Sequence, residues 1–193
     1  MNQGTGPEGV QVRPRASWLL LLVLALAAGP ALGQWSEDGK VVPDNDWRKS
    51  AGSFGAMMML TEDPEKFFEQ WNKPPSPDYK PKITTTEELR RGGHVAALVL
   101  FIGCQADSSG NCSVEADYVL RSPDGGVYGE QKNVKVWKDK PAPPDMTLQL
   151  GVSVFGLELE QDDPLGTYMF EAKVRDRNAK VEVLLKRPLK VAK

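Results

Sequence analysis

The last third of the chain alternates apolar and polar residues with a period of two. Leu148, Leu150, Val152 and Val154 share one face, while Gln149, Gly151 and Ser153 share the other. Tyr168, Phe170, Ala172 and Val174 repeat the pattern against Met169, Glu171, Lys173 and Arg175. Residues 181–185 continue it, with Leu189 and Val191 beyond Pro188. Half-buried strands have this signature. Phe155-Gly156 breaks the alternation and predicts a bulge or bend there. Pro188 has no N–H to donate, so the last strand is expected at an edge, or shifted at that point. His94–Ile102 is apolar on both faces and is expected in the centre of a sheet. Residues 114–121, 127–130 and 134–138 read as further short strands, the first two separated by the Ser122-Pro123-Asp124-Gly125-Gly126 turn signal. About seven strands spaced by turns predict an antiparallel β-sandwich.

The N-terminal half has a different period. Asp63 can cap a helix, Pro64 suits its first position, and Glu65 favours the positive end of its dipole. Phe67, Phe68 and Trp71 then form an apolar face, giving a short helix over about 63–72. A proline-rich connector follows at 73–82. Residues 34–53 are polar and turn-rich and read as an exposed arm ahead of a sandwich domain spanning 54–193. Arg13 and Arg15 precede the apolar run from Ala16 to Ala28, and Ala31-Leu32-Gly33 follows it. Basic end, short apolar core and small-residue cleavage site are the layout of a secretory signal peptide over 1–33. Its core of roughly 13 residues is shorter than the ~20 a membrane-spanning helix needs. A mature form with no membrane span, in a periplasm or outside the cell, is the expectation.

Charge changes little in this picture. With 24 Lys and Arg against 26 Asp and Glu, the net charge is −2. The signs are interspersed, which gives no electrostatic footing for nucleic acid. The two cysteines, Cys104 and Cys112, bracket a turn-rich tip, and in an oxidising compartment they are expected to form a disulfide. Asn111-Cys112-Ser113 matches the N-glycosylation acceptor pattern.

Asp163-Pro164-Leu165-Gly166-Thr167-Tyr168, followed by Ala172-Lys173-Val174-Arg175-Asp176 and a terminal apolar strand, looks like the closing hairpin of an immunoglobulin-like sandwich. With Ser122-Pro123-Asp124-Gly125, it resembles secreted bacterial proteins of unassigned role that carry immunoglobulin-like domains. The resemblance covers residues 54–191. It implies a tyrosine corner at Tyr168, although Asp163 stands one residue further upstream than the family pattern has its acid. The family's Cys two residues after the Tyr is replaced by Phe170.

Candidate chemistry is sparse. His94 is the only histidine, so a hydrolytic triad would have to use it. Gly151-Val152-Ser153-Val154-Phe155 lacks the second glycine of a nucleophile elbow and lies in a strand. Asp44-Asn45-Asp46 and Asp162-Asp163 offer oxygen ligands of the kind calcium takes. Glu158, Glu160, Asp162 and Asp163 supply carboxylates for a glycosidase reading. Tryptophans at 35, 47, 71 and 137 suggest a carbohydrate-stacking platform, and Trp137, flanked by Lys135 and Lys138, is the best surface aromatic. Trp137, Tyr128 and Asp124 are the candidate ligand contacts, on or beside the loops 104–112, 122–126 and 138–145. The expectation is a non-enzymatic binding or accessory module of the cell envelope that uses no cofactor and engages another envelope protein or a glycan. A sugar- or calcium-binding domain and a small hydrolase using His94 are the alternatives.

Overall fold

The alternating segments become the strands of two facing sheets. The structure, a computed structural model, describes residues 35–37, 40–74, 83–144 and 147–193. The expected signal peptide and residues 75–82 of the connector lie outside the described residues. In chain order the elements are β1 (Trp35–Glu37), β2 (Lys40–Val42), β3 (Arg48–Ala51), β4 (Phe54–Thr61), α1 (Pro64–Trp71), β5 (Glu88–Arg90), β6 (His94–Ile102), β7 (Asn111–Arg121), β8 (Val127–Pro141), β9 (Gln149–Glu158), β10 (Gly166–Asp176) and β11 (Val181–Ala192). One sheet runs β5-β11-β10-β7-β8, the other β3-β4-β6-β9, and β1 and β2 form a separate hairpin. All pairings are antiparallel except β5, which joins β11 in parallel. Among the described residues the fold is mainly β, an immunoglobulin-like sandwich with one short helix.

The inward faces are apolar. At the centre Phe155 stacks on Tyr118 and meets Phe170 edge to face, and Phe54, Val99, Phe101, Leu120, Leu185 and Leu189 pack around them. The Tyr118 hydroxyl is enclosed there, and burial raises its pKa. The outward face of the five-stranded sheet is instead a ladder of cross-strand ion pairs: Arg175 with Asp117, Arg121 and Lys186 with Glu171, and Arg177 with Glu115. This explains the polar half of the β10 alternation.

β6 is central, as its doubly apolar sequence predicts, pairing with β4 and β9. Its second apolar face is covered because α1 lies across the sheet there. Phe67 of the helix packs with Met57, Leu98, Leu100, Ile102 and Leu150. The Asp63 side chain accepts from the Lys66 N–H at 2.9 Å, and Pro64 occupies the first turn. The helix therefore begins where its sequence says it should. The three consecutive methionines divide by strand parity, Met58 into the inter-sheet core and Met57 and Met59 under the helix.

Several segments differ from the sequence expectation. Residues 34–53, expected as an exposed arm, supply β1, β2 and β3; Trp35 is buried and β3 forms an edge of the smaller sheet. The two short strands expected at 127–130 and 134–138 are one strand, β8, whose pairing with β7 shifts register four times. Asn133 and Asp139 within it take left-handed backbone, with φ of 54° at each. The break expected at Phe155-Gly156 lies earlier: β9 loses register with β6 between Val154 and Leu150, opposite Leu98 and Leu100. Gly151, within that irregularity, sits so close to β8 that a Cβ would meet Val136 Cγ1 at 2.5 Å. β8 thus closes the sandwich beside β9 on one flank, while β3 faces β11 on the other.

Pro188 is accommodated by a gap in pairing. The Lys186 N–H donates to Asp46 O at 2.6 Å and the Lys190 N–H to Glu87 O at 2.9 Å. Strand parity points the Pro188 nitrogen to the same side, between those two contacts. A residue with an N–H would leave it unpaired there; proline leaves nothing unpaired.

Candidate functional site

Trp137, Tyr128 and Asp124 do not converge. Tyr128 and Trp137 lie near opposite ends of β8, roughly 20 Å apart as measured along the β7 residues they pair beside. Asp124 sits in the β7–β8 turn, where its carboxylate accepts from the Ser122 hydroxyl and from the Gly126 N–H at 3.0 Å. The Ser122 hydroxyl in particular holds its pKa below the usual value. Tyr128 is half-buried, packs edge-on to Tyr168, and donates its hydroxyl to Asp163. Burial, then the Asp163 carboxylate, raises its pKa. Asp163 also accepts from the Glu160 N–H at 2.7 Å, and the Tyr168 hydroxyl donates to Pro164 O at 3.1 Å. That last bond, to a backbone carbonyl four residues upstream, is the tyrosine corner. Tyr128 and Asp124 therefore brace the end of the sandwich.

Trp137 does meet other candidate chemistry. Its ring packs against Phe101 at 5.8 Å, its Nε1–H donates to Pro141 O, and the Lys140 ammonium lies 4.9 Å from the ring centroid. Beside it a cavity of about 310 Å³ is lined by Phe68 and Trp71 of α1, by Asn72, and by residues 149–152 of β9. Trp71 itself stacks on Phe67. The helix and the β8–β9 flank thus bring together three aromatic rings, two amides (Asn72 and Gln149) and one ammonium. Val152, at the same border, is 48% exposed.

The opposite flank holds a cluster that the sequence reading missed. Arg187 occupies an inward position of β11, in the series Val183, Leu185, Arg187, Leu189, Val191, and is 8% exposed. The Trp47 ring covers its guanidinium at 4.6 Å, and Arg48 lies over both Trp47 and Trp35 at 5.2 and 5.8 Å. Arg187 Nη2 donates to Glu87 at 3.2 Å and Nη1 reaches Met58 O at 3.5 Å; Nε has no partner among the described residues. Burial lowers its pKa, and Glu87 opposes that shift. A cavity of about 470 Å³ opens at the Pro188 gap, bordered by Trp47, Glu87, Glu88, Thr167, Arg187 and Lys190. The available signal was one charged residue at an inward position of an otherwise apolar alternation.

The remaining candidates are placed as follows. His94 is exposed at the start of β6, opposite Glu158, whereas Ser153 lies well along β9 with its hydroxyl enclosed. Asp44 accepts from the Ser50 N–H and hydroxyl, and Asn45 Oδ1 from the Trp47 N–H, so both groups bind their own backbone. Among the described residues, no cluster of three acidic, histidine or cysteine side chains could hold a metal. Cys104 and Cys112 form the disulfide. Asp176, 1% exposed, ties that loop to the β10–β11 turn by accepting from the N–H groups of Gln105, Asn178 and Ala179.

No protein-family model matches the chain, and no curated protein matches it significantly. Several solved structures are remotely similar to this chain. A Niemann-Pick type C2 protein from the Japanese carpenter ant is 13% identical, with 70% of this chain and 89% of that one covered, at a TM-score of 0.38. The C-terminal domain of Wzt is 14% identical, with 76% and 78% covered, at 0.38. A CARDB domain from Pyrococcus furiosus, in complex with di-metal ions, is 14% identical, with 55% and 81% covered, at 0.33. Likenesses this remote carry no functional argument.

Proposed function

We propose that the protein is an exported, non-enzymatic binding module of the cell envelope, and that it takes a glycan in the groove formed by Phe68, Trp71 and Trp137. The observation that carries this reading is the composition of that groove. A sugar ring presents C–H faces, which pack on aromatic rings, and hydroxyls, which need directional partners. Asn72, Gln149 and Lys140 stand beside the three rings and can supply those partners. The Cys104–Cys112 disulfide and the basic, apolar, small-residue order of the N-terminus support an extracytoplasmic setting.

Affinity electrophoresis and calorimetry against envelope polysaccharides and their oligosaccharide fragments test the reading. Binding that falls at least about tenfold on Trp137→Ala or Trp71→Ala is expected, the loss of one stacked ring being of order 1.4 kcal/mol. Wild-type protein that binds none of the glycans, or variants that bind unchanged, would refute the assignment.

A further inference from the structure

We propose that the cavity at the Pro188 gap is a second binding site, specific for a sugar acid whose carboxylate is received by Arg187. The site is separate from the aromatic groove, because it lies on the β3–β11 flank and the groove on the β8–β9 flank.

A guanidinium carries five N–H donors. Those of Arg187 make two hydrogen bonds, and the one to Met58 O is at the outer limit of length. Its principal partner, Glu87, is 81% exposed and belongs to the segment just ahead of β5, outside the core. The strongest compensation available to a buried guanidinium is a bidentate carboxylate. Glu87 provides one bond from a position open to solvent, so it acts as a resident carboxylate that an incoming one can displace.

The rest of the cavity selects what is attached to that carboxylate. Trp47 and Pro188 offer apolar ring surfaces and Thr167 a hydroxyl, while the Lys190 ammonium is paired at 3.3 Å with Glu88, a second exposed carboxylate in the lining. A polyhydroxylated ring bearing a carboxylate has both needs. The volume of about 470 Å³ exceeds that of one sugar unit, and the opening lies on the molecular surface where pairing along β11 is interrupted.

The test is calorimetric titration of the purified protein with D-glucuronate, D-glucose and acetate at fixed ionic strength. Glucuronate is expected to bind at least about tenfold more tightly than glucose, as a charge-assisted hydrogen-bond pair implies, and more tightly than acetate. Glu87→Gln removes the competing carboxylate from an exposed position and is expected to tighten glucuronate binding about threefold. Arg187→Met is expected to abolish binding, and Trp137→Ala to leave it unchanged. Glucuronate binding no better than glucose, or weaker binding in Glu87→Gln, would overturn the site. Acetate binding as tightly as glucuronate would overturn the sugar-acid specificity, and loss of binding in Trp137→Ala would relocate the ligand to the groove.

Discussion

Replacing Arg187 by methionine should stabilise the fold, and this distinguishes a side chain retained for ligand binding from one retained as a staple. Three interactions favour the arginine in the free protein. The pair with Glu87, whose carboxylate is mostly exposed, contributes about 0–1 kcal/mol. Stacking under Trp47 at 4.6 Å contributes about 0.5–2 kcal/mol, and the 3.5 Å contact to Met58 O very little. Against them stands the enclosed, unpartnered Nε–H, which costs about 1–3 kcal/mol. The guanidinium as a whole is also desolvated at 8% exposure. Methionine keeps an unbranched apolar stem in the same strand position and regains about 0.3–1.5 kcal/mol of sulfur–aromatic contact with Trp47.

The balance favours Arg187→Met by about 1 kcal/mol, which for a domain of this size corresponds to a Tm higher by roughly 2–4 °C. Urea unfolding followed by tryptophan fluorescence, with Arg187→Ala as the cavity-forming control, measures it. A loss of more than about 1 kcal/mol in the methionine variant, on the scale of breaking a buried ion pair, would show that Glu87 and Trp47 compensate the guanidinium in full. The trade of stability for binding would then be wrong.

Asp117 titrates with a pKa lowered from 3.8 to about 2, chiefly by its hydrogen bond from Arg175. Its stabilisation is therefore present above the unfolded value near 4 and disappears as pH falls through about 2. Asp117→Asn should cost about 2 kcal/mol at pH 7 and only about 0.4 kcal/mol at pH 2, as read by unfolding curves at both pH values. Reducing the disulfide, or replacing both Cys104 and Cys112 by alanine, should cost about 2.5 kcal/mol, given a sequence separation of 8; an unchanged urea midpoint would contradict this. Tyr168→Phe removes the corner bond to Pro164 O and should cost about 1–2 kcal/mol in the same assay. Asp176→Ala leaves three backbone donors without their acceptor, and hydrogen exchange should accelerate at Gln105, Asn178 and Ala179 together.

Where the sequence was legible, a local pattern carried the information. Asp63-Pro64-Glu65 contains the helix start in three residues, and the β10 alternation separates core from ion-pair ladder without reference to any partner strand. The Tyr168 corner, implied by the immunoglobulin-like resemblance, is also a local bond, its donor and acceptor four residues apart. The missed elements depend on distant partners. Arg48–Ala51 has no apolar alternation, and it becomes a strand because β4 offers it an edge. β8 reads as two strands because a polar, lysine-bearing stretch lies between its apolar ends, and a sheet edge tolerates that stretch. Trp47 and Arg187 are 140 positions apart in numbering and meet only because the N-terminal segment crosses the flank of β11.

The two cavities also have a common physical origin. Two of the end loops that sequence reasoning favoured for recognition, 104–112 and 122–126, turn their polar groups on themselves or are held by neighbours: Asp124 on Gly126 and Ser122, Asp107 on the N–H groups of Ser109 and Asn111, and Asp176 on the disulfide loop, whereas Lys140 of the third, 138–145, lines the groove beside Trp137. A carboxylate already holding its own backbone must break those bonds before it can hold a ligand, which costs about 1 kcal/mol or more for each. The flanks are under the opposite constraint. The two sheets twist and differ in strand number, and the flanks hold a gap at Pro188 of β11 and a groove at the border where β8 approaches β9 near Gly151. Side chains aimed at those gaps, Arg187 on one side and Trp137 on the other, keep unsatisfied donors or exposed ring surface. The two proposed sites therefore both lie on the flanks of the sandwich.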